Sequence, residues 1–230
     1  MHDDPRGESP FNALPPVVVG LALAIAAVEL MFLAAEEGLV GGREGIGWRT
    51  AAIGEWAVSG AVWDWMVRNA TFPPEALARF VTYPFLHGGF GHAAFTLVFV
   101  LAFGNVVARV FVGWRVLALF LAGSLAGALA VVLLFDRGLL FGAYPGAYGL
   151  IGAFTFLARK GLTGVPPDRA FLLLAFVMAI QPVFALVGGG GWSWLPDWVA
   201  EGVGAAAGYG VAAALFPGGL SGLRDRARRR

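Results

Sequence analysis

The segment VLALFLAGSLAGALAVVLLF, Val116–Phe135, gives the clearest indication of the fold class of this chain. It is apolar along its whole length and about 20 residues long, which matches the thickness of the hydrocarbon core that a membrane helix must cross. Hydrophobic residues make up 58% of the 230-residue chain and charged residues only 13%, whereas soluble domains carry about 25% charged residues. The sequence therefore predicts an all-α integral membrane protein.

Further apolar segments of similar length lie on both sides of this one. They span about Pro15–Ala35, Gly91–Ala108, Leu139–Leu157, Ala170–Val187 and Trp198–Phe216. The pattern predicts a bundle of six transmembrane helices over residues 15–216, between an N-terminal tail (1–14) and a basic C-terminal tail (217–230). A long loop (36–89) separates the first two helices and carries Trp48, Trp56, Trp63 and Trp65. Because indole rings prefer the headgroup region, this loop is predicted to lie at the membrane surface.

The distribution of basic residues predicts the orientation in the membrane. With both termini in the cytoplasm, eleven basic residues lie inside and five outside, as the positive-inside rule requires. The N-terminal stretch is interpreted as an anchor rather than a cleaved signal peptide. One lysine against fifteen arginines, with abundant Ala, Gly and Val, is typical of a GC-rich bacterial genome, so we expect the bacterial inner membrane.

Composition and missing motifs exclude several classes of function. A net charge of +1 without a basic face argues against nucleic-acid binding. The chain has no cysteine, which excludes disulfides, thiolate metal sites and cysteine nucleophiles. Neither H-E-x-x-H nor G-x-S-x-G occurs, and we expect no aspartate inside the spans, no metal site and no cofactor. No internal repeat is visible, which makes a repeat-built transporter the weakest option.

Small residues recur at intervals that allow helix backbones to approach closely. They predict that the fourth and sixth helices pack against each other or against a shared neighbour. The glycines concerned are Gly123, Gly127, Gly146, Gly149, Gly152, Gly204 and Gly208.

Few ionisable residues fall inside the predicted spans, and each is a candidate functional residue because burying a charge in lipid is costly. They are Glu29, His92 and Glu201, with His87 just outside the second helix. Glu201 lies among glycines and alanines with no charge beside it in sequence. It must therefore be protonated or have a partner from elsewhere in the fold.

Four stretches, in order along the chain, resemble the rhomboid family of intramembrane serine proteases. They are ARFVTYPFLHGGFGHAAFTLVFVLAFG (78–104), LFLAGSLAGALA (119–130), GAYPGAYGLIGAF (142–154) and VAEGVGAAAGYGVA (199–212). The resemblance covers about Ala78–Phe216 and agrees with the six-helix topology. It places Arg79 at the family's loop arginine and His87 and His92 at its paired histidines.

At the catalytic positions the chain departs from this family. The resemblance places Tyr144 where the family has its nucleophilic serine, with Pro145 on the following glycine. Glu201 stands where the family has its general-base histidine, and Thr96 replaces the asparagine of the oxyanion hole. The fourth helix contains no serine at any register. A serine protease needs a hydroxyl activated by a nearby base, so we assign no catalytic residue and expect an inactive relative.

The resemblance also brings the second, fourth and sixth helices around one polar centre. It implies a structural network of His87, His92, Thr96, Tyr144, Tyr148 and Glu201. We expect Glu201 to hydrogen-bond Tyr144 or to pair with His92. The alternative is a neutral Glu201 that faces a small water-filled cavity.

These observations favour a pseudoprotease that binds transmembrane segments of other proteins without cutting them. A structural or assembly subunit of a larger membrane complex is an alternative from a different class. A third possibility is an active protease that uses Tyr144 as nucleophile and Glu201 as base, although a phenol is a poor nucleophile at neutral pH. Besides protein partners, membrane lipids are expected contacts, and the RDRARRR tail suits an anionic surface.

Overall fold

The computed structural model describes residues 14–135, 139–188 and 191–217. Within these ranges the chain is mostly helical, which confirms the all-α fold class. The helices are α1 (Pro16–Glu36), α2 (Gly42–Gly45), α3 (Trp48–Trp56), α4 (Gly60–Arg68), α5 (Pro74–Thr82), α6 (Phe90–Ala108), α7 (Trp114–Leu134), α8 (Tyr144–Arg159), α9 (Pro167–Gly188) and α10 (Leu195–Leu215). Apart from Leu14 and Pro217, the two predicted tails lie outside the described residues.

Among the described helices, five are long and apolar enough to cross a membrane: α1, α6, α7, α9 and α10. The remaining predicted span corresponds to α8, which has 16 residues and falls short of the roughly 20 that a membrane-spanning helix needs. The count of six transmembrane helices therefore stays a prediction.

Helix α8 lies at the centre of the bundle, and every residue from Pro145 to Ala158 is buried. The predicted start of this helix at Leu139 was wrong, because Leu139–Leu140 forms a strand, β2, instead. Strand β2 pairs antiparallel with β1 (Val58–Ser59), with Val58 opposite Leu140. The helix begins only at Tyr144, where Pro145 suits the first turn because its missing N–H is not needed there.

Glycines let α7 and α10 pack directly on the backbone of α8. A methyl group added at Gly123 would lie 2.9 Å from the Cα of Gly149, and one added at Gly149 would lie 2.8 Å from the carbonyl oxygen of Leu119. All seven glycines singled out in the sequence have a backbone or side chain of a neighbouring helix this close. Close approach is the structural reason for glycine at these positions.

The segment 36–89 is folded, although the sequence suggests a long loop. It forms α2 to α5, followed by a 3-10 turn (Tyr83–Phe85), because apolar side chains such as Met66 and Phe80 pack against α7 and become buried. The Tyr83 hydroxyl donates to the carbonyl oxygen of Ser124 in α7 at 2.7 Å. Arg79 donates to the carbonyl oxygen of Ala57 at 3.0 Å and so joins α5 to the end of α3.

The four tryptophans of this segment differ in their surroundings. Trp63 packs edge-on against Phe80, with ring centroids 5.8 Å apart. Trp48 and Trp65 are exposed, and Trp56 is half-buried. Exposed indoles suit a position at the membrane surface, which stays a prediction for this segment.

Candidate functional site

Three aromatic rings meet where α6 passes the start of α8. The imidazole of His92 stacks on the Tyr144 ring, with centroids 5.1 Å apart and planes 17° from parallel. The His87 ring meets His92 edge-on at 5.0 Å. The structure therefore brings together both histidines and the tyrosine that were expected to share a polar centre.

His87 is fully buried and connects the segment before α6 to the start of α8. Its Nε2 accepts a hydrogen bond from the backbone N–H of Ala143 at 3.4 Å. Burial lowers the pKa of His87 to about 4, and the neighbouring His92 contributes in the same direction. The imidazole is therefore neutral at pH 7 and acts as an acceptor.

The backbone at His87 is in turn held by Arg49 in α3. Its Nη1 donates to the His87 carbonyl oxygen at 2.8 Å and to Glu29 in α1 at 2.7 Å, while its Nε donates to Glu36 at 2.6 Å. Burial disfavours the charge on Arg49, but these hydrogen bonds outweigh it and the pKa of Arg49 is raised. Glu29, a candidate functional residue from the sequence, thus has Arg49 as its partner.

Thr96 is fully buried in α6, one turn after His92. Its hydroxyl donates to the carbonyl oxygen of His92 at 3.0 Å. A threonine has no side-chain N–H, so this position cannot supply the amide donor that an asparagine would.

Glu201 in α10 is 1% exposed, and its partner is in α9. The side-chain amide of Gln181 donates to Oε1 of Glu201. The expected hydrogen bond to Tyr144 or pairing with His92 was wrong, because α9 brings an amide donor to the carboxylate from the other side. Within the described residues, Oε2 of Glu201 has no hydrogen-bond partner.

Tyr148 lies one turn after Tyr144, close to Glu201. Its hydroxyl donates to the carbonyl oxygen of Val177 at 3.1 Å. Tyr148 therefore joins α8 to α9. Two further hydrogen bonds join α9 to α10 at this level: the one from Gln181 to Glu201, and one from the Trp198 indole to the carbonyl oxygen of Met178 at 2.7 Å.

Asp197 also belongs to the site, although no aspartate was expected inside the spans. That expectation was wrong because α10 begins at Leu195, three residues before its predicted start. Asp197 lies four residues before Glu201, and residues at this spacing share one face of a helix. Both carboxylates line the same cavity.

The cavity has a volume of about 620 Å³ and lies between α6, α8, α9 and α10. Phe95 of α6 and Phe184 of α9 line it and are 66% and 72% exposed, so it opens sideways between these two helices. Its walls include His92, Tyr144, Pro145, Ile180, Gln181, Trp194, Asp197 and Glu201.

Two hydroxyl groups, those of Tyr144 and Ser124, bear on whether this region could support nucleophilic chemistry. Across the described residues, no hydrogen bond connects the Tyr144 hydroxyl with Glu201. The buried Ser124 donates to the carbonyl oxygen of Phe120 within its own helix at 3.0 Å. No cluster of three or more His, Asp or Glu side chains able to hold a metal ion occurs in the described part of the chain.

The sequence alone did not identify Arg49, Gln181 and Asp197 as residues of the site. An available signal for Gln181 was its place beside Pro182 in an otherwise apolar segment. A glutamine inside a membrane helix needs a hydrogen-bond partner. Glu201 was the acidic residue without a charged neighbour in sequence, and so a candidate for that partner.

Comparison with known proteins agrees with this architecture. A family model described as Rhomboid domain matches residues 74–218. The match begins at α5 and includes every cavity-lining helix, so the resemblance noted in the sequence is confirmed. No curated protein matches the chain.

Proposed function

Because the chain belongs to the rhomboid family and is an integral membrane protein, we propose that it is a membrane pseudoprotease. It binds transmembrane segments of other membrane proteins and does not cleave them. The observation that carries this proposal is the cavity itself, which opens sideways between α6 and α9 and is lined by Tyr144 and Glu201. The resemblance to the family aligns these two residues with its catalytic dyad.

The state of these two residues supports the absence of proteolysis. The Tyr144 ring is stacked on His92, and the Glu201 carboxylate accepts from Gln181, so neither is hydrogen-bonded to the other as a nucleophile and base must be. Pro145 follows Tyr144 and has no backbone N–H to donate to a developing oxyanion. Thr96 supplies no amide donor either.

The packing of α9 supports the binding of a partner helix. In its membrane-spanning part only 11% of the residues are buried, and it presents exposed side chains such as Leu172, Phe176 and Phe184 outward. One apolar cluster around Val177 and three hydrogen bonds hold α9 against α8 and α10, so most of its surface is left for a neighbouring helix. Lateral access to the cavity therefore needs no opening of the α7–α8–α10 core.

We further propose that the protein resides in a bacterial inner membrane with both termini in the cytoplasm. The excess of arginine in the loops and tails predicted to lie inside supports this orientation. The chain has no cysteine, so single cysteines introduced into each tail and each loop can be labelled with an impermeant maleimide and read out on the purified protein without background from its own residues. Labelling of both tails from outside intact cells would refute the orientation.

Photo-crosslinking in the native membrane tests the binding function. A photoreactive amino acid replaces Phe95 at the cavity opening, and in a matched control it replaces Leu23 on the outer face of α1; the two side chains are 66% and 63% exposed. We expect several membrane proteins to crosslink at Phe95 and not at Leu23, as identified by quantitative mass spectrometry. The same set of proteins at both positions would contradict specific binding.

The same experiment separates the other two functions. One protein crosslinked at fixed stoichiometry would identify an assembly subunit rather than a binder of several clients. Labelling of the wild-type protein by a serine-directed probe, together with cleaved fragments that accumulate only in its presence, would identify an active protease.

A further inference from the structure

One wall of the cavity contains two carboxyl groups and no basic side chain among the described residues. Asp197 and Glu201 lie on the same face of α10 and both line the cavity, whereas no lysine or arginine is among the described residues that line it. Carboxylates inside a membrane are costly unless they are paired. A cation that enters the cavity would therefore meet two carboxyl groups and, among the described lining residues, no competing lysine or arginine.

One oxygen of the Glu201 carboxyl group, which lies near Tyr148, can accept a further hydrogen bond. Oε2 of Glu201 is buried without a hydrogen-bond partner within the described residues, although Glu201 is only 1% exposed. The other oxygen, Oε1, is already occupied by Gln181. Unsatisfied buried carboxylate oxygens are uncommon in native proteins and indicate a missing partner.

Trp194 at the edge of the cavity adds a second feature that suits a cation. Its indole lines the cavity and is part of a cluster in which Trp192 stacks on it and Trp198 meets it edge-on, both with centroids 5.9 Å away. Indole faces attract ammonium and guanidinium groups, most strongly where water is scarce. Two carboxylates and an indole around one cavity are complementary to a basic side chain.

We propose that this cavity receives a lysine or arginine side chain from a partner transmembrane segment that docks between α6 and α9. The proposal rests on the function proposed above and specifies which segments are selected. A basic residue inside a membrane helix needs a counterion as much as the carboxylates do. Pairing them removes both penalties at once, and a segment with only apolar side chains gains nothing comparable.

The lateral opening makes this pairing accessible from the bilayer. Phe95 and Phe184 at the opening are apolar and exposed, so a partner helix can lie against them while a long basic side chain reaches inward. A volume of about 620 Å³ lies within the range of ligand-binding pockets, roughly 300–1,000 Å³. The opening thus binds the helix, and the acidic wall selects its side chain.

The test uses the full chain in lipid vesicles, with a photoreactive amino acid in place of Phe184. Three synthetic transmembrane peptides of the same leucine–alanine sequence carry Lys, Gln or Met at one central position. We expect the lysine peptide to crosslink roughly tenfold more than the methionine peptide, equivalent to about 1.4 kcal/mol, and clearly more than the glutamine peptide. A preference for the lysine peptide over the glutamine peptide would mean that the cavity selects the positive charge of the side chain, and not only its ability to donate a hydrogen bond.

Two substitutions in the acidic wall and one control show whether the cavity is responsible. Glu201→Gln and Asp197→Asn should each reduce the preference for lysine to near unity. The matched control is Asp168→Asn, which changes an exposed aspartate in the first turn of α9, away from the cavity, and should keep the full preference. Thermal denaturation of each variant in detergent checks the fold, and Asp197→Asn is informative even if Glu201→Gln unfolds.

The possible failures are distinguishable. Equal crosslinking of all three peptides would overturn the selection of basic side chains while leaving the proposed binding of transmembrane segments intact. Crosslinking of none would overturn both proposals. A lysine preference that survives both Glu201→Gln and Asp197→Asn in folded protein would also overturn the inference.

Discussion

The Arg49 guanidinium and the Glu29 carboxylate face each other inside the protein, joined by two hydrogen bonds of 2.7 and 3.0 Å. Glu29 comes from α1, a membrane-spanning helix, and Arg49 from α3 in the folded segment that follows it. The same guanidinium donates to the His87 carbonyl oxygen just before α6. One buried cation therefore fixes three parts of the chain around the edge of the site.

Arg49→Met should destabilise the protein strongly. The change leaves Glu29 buried without its partner, and breaking a buried ion pair from one side costs about 3–5 kcal/mol. We expect a marked fall in the thermal denaturation midpoint in detergent. The control is Arg68→Met, which removes an exposed pair with Asp64 and should cost at most about 1 kcal/mol.

The double variant Glu29→Leu with Arg49→Met separates loss of a salt bridge from loss of packing. Replacing both partners by apolar residues removes the unpaired charge, so stability should recover toward that of the wild type. If the double variant is as unstable as Arg49→Met alone, the unpaired carboxylate is not the cause.

Gln181 and Glu201 should be energetically coupled. Each single change, Gln181→Ala or Glu201→Ala, removes one member of a hydrogen-bonded pair and should cost about 1–3 kcal/mol. Denaturation of both single variants and the double variant in detergent gives the coupling energy, expected at about 0.5–3 kcal/mol. Glu55→Ala changes an exposed residue and serves as the control. Additive losses, or unchanged stability of Glu201→Ala, would contradict a structural role for this pair.

Most of the fold could be predicted from the sequence. The length of an apolar segment indicates a membrane helix, and the spacing of glycines indicates where such helices are in contact. The ends of α1, α6 and α7 lie within two residues of the predicted ones. The start of α8 could not be predicted, since Leu139–Leu140 is as apolar as a helix and its pairing with Val58–Ser59 depends on a distant segment. Apolarity alone does not distinguish a short buried strand from a helix.

The residues of the site could be predicted where they match positions of the family's motifs. Their hydrogen-bond partners could not be predicted where these depend on tertiary contacts. His92 and Tyr144 could be placed together by resemblance. The pairing of Glu201 with Gln181 depends on how α9 is rotated against α10, and a side-chain partner twenty residues away leaves no local pattern. The same holds for Glu29 and Arg49.

Gly208→Ala should destabilise the protein, whereas Gly210→Ala should not. A methyl group at Gly208 would lie 2.6 Å from the Cα of Gly149 in α8, but one at Gly210 would meet nothing within 4 Å. Forcing α8 and α10 apart should cost about 1–3 kcal/mol. Alanine at Gly210 should be neutral or stabilising by up to about 1 kcal/mol through its higher helix propensity. Thermal denaturation of the two variants measures the difference, and equal effects would argue against backbone contact at this point.

His87 should make stability depend on pH between about 6.5 and 4. Its pKa in the folded protein is about 4, against about 6.5 in an unfolded chain. Between these values the unfolded chain binds the extra proton, so stability falls as the pH is lowered through this window and stays level below it. The full difference corresponds to roughly 3 kcal/mol. Protonation of His87 is opposed by its burial first, and by the nearby His92 and Arg49.

The variant His87→Gln isolates this contribution from the other titrating groups. Glutamine retains a side-chain oxygen that can accept from the Ala143 N–H, but it does not titrate. We expect the denaturation midpoint of the wild type to fall more steeply than that of the variant between pH 7 and pH 4, and the two curves to run parallel above pH 7. Parallel curves through the acidic range would mean that His87 is not the group that binds the proton on unfolding, because no other residue differs between the two proteins.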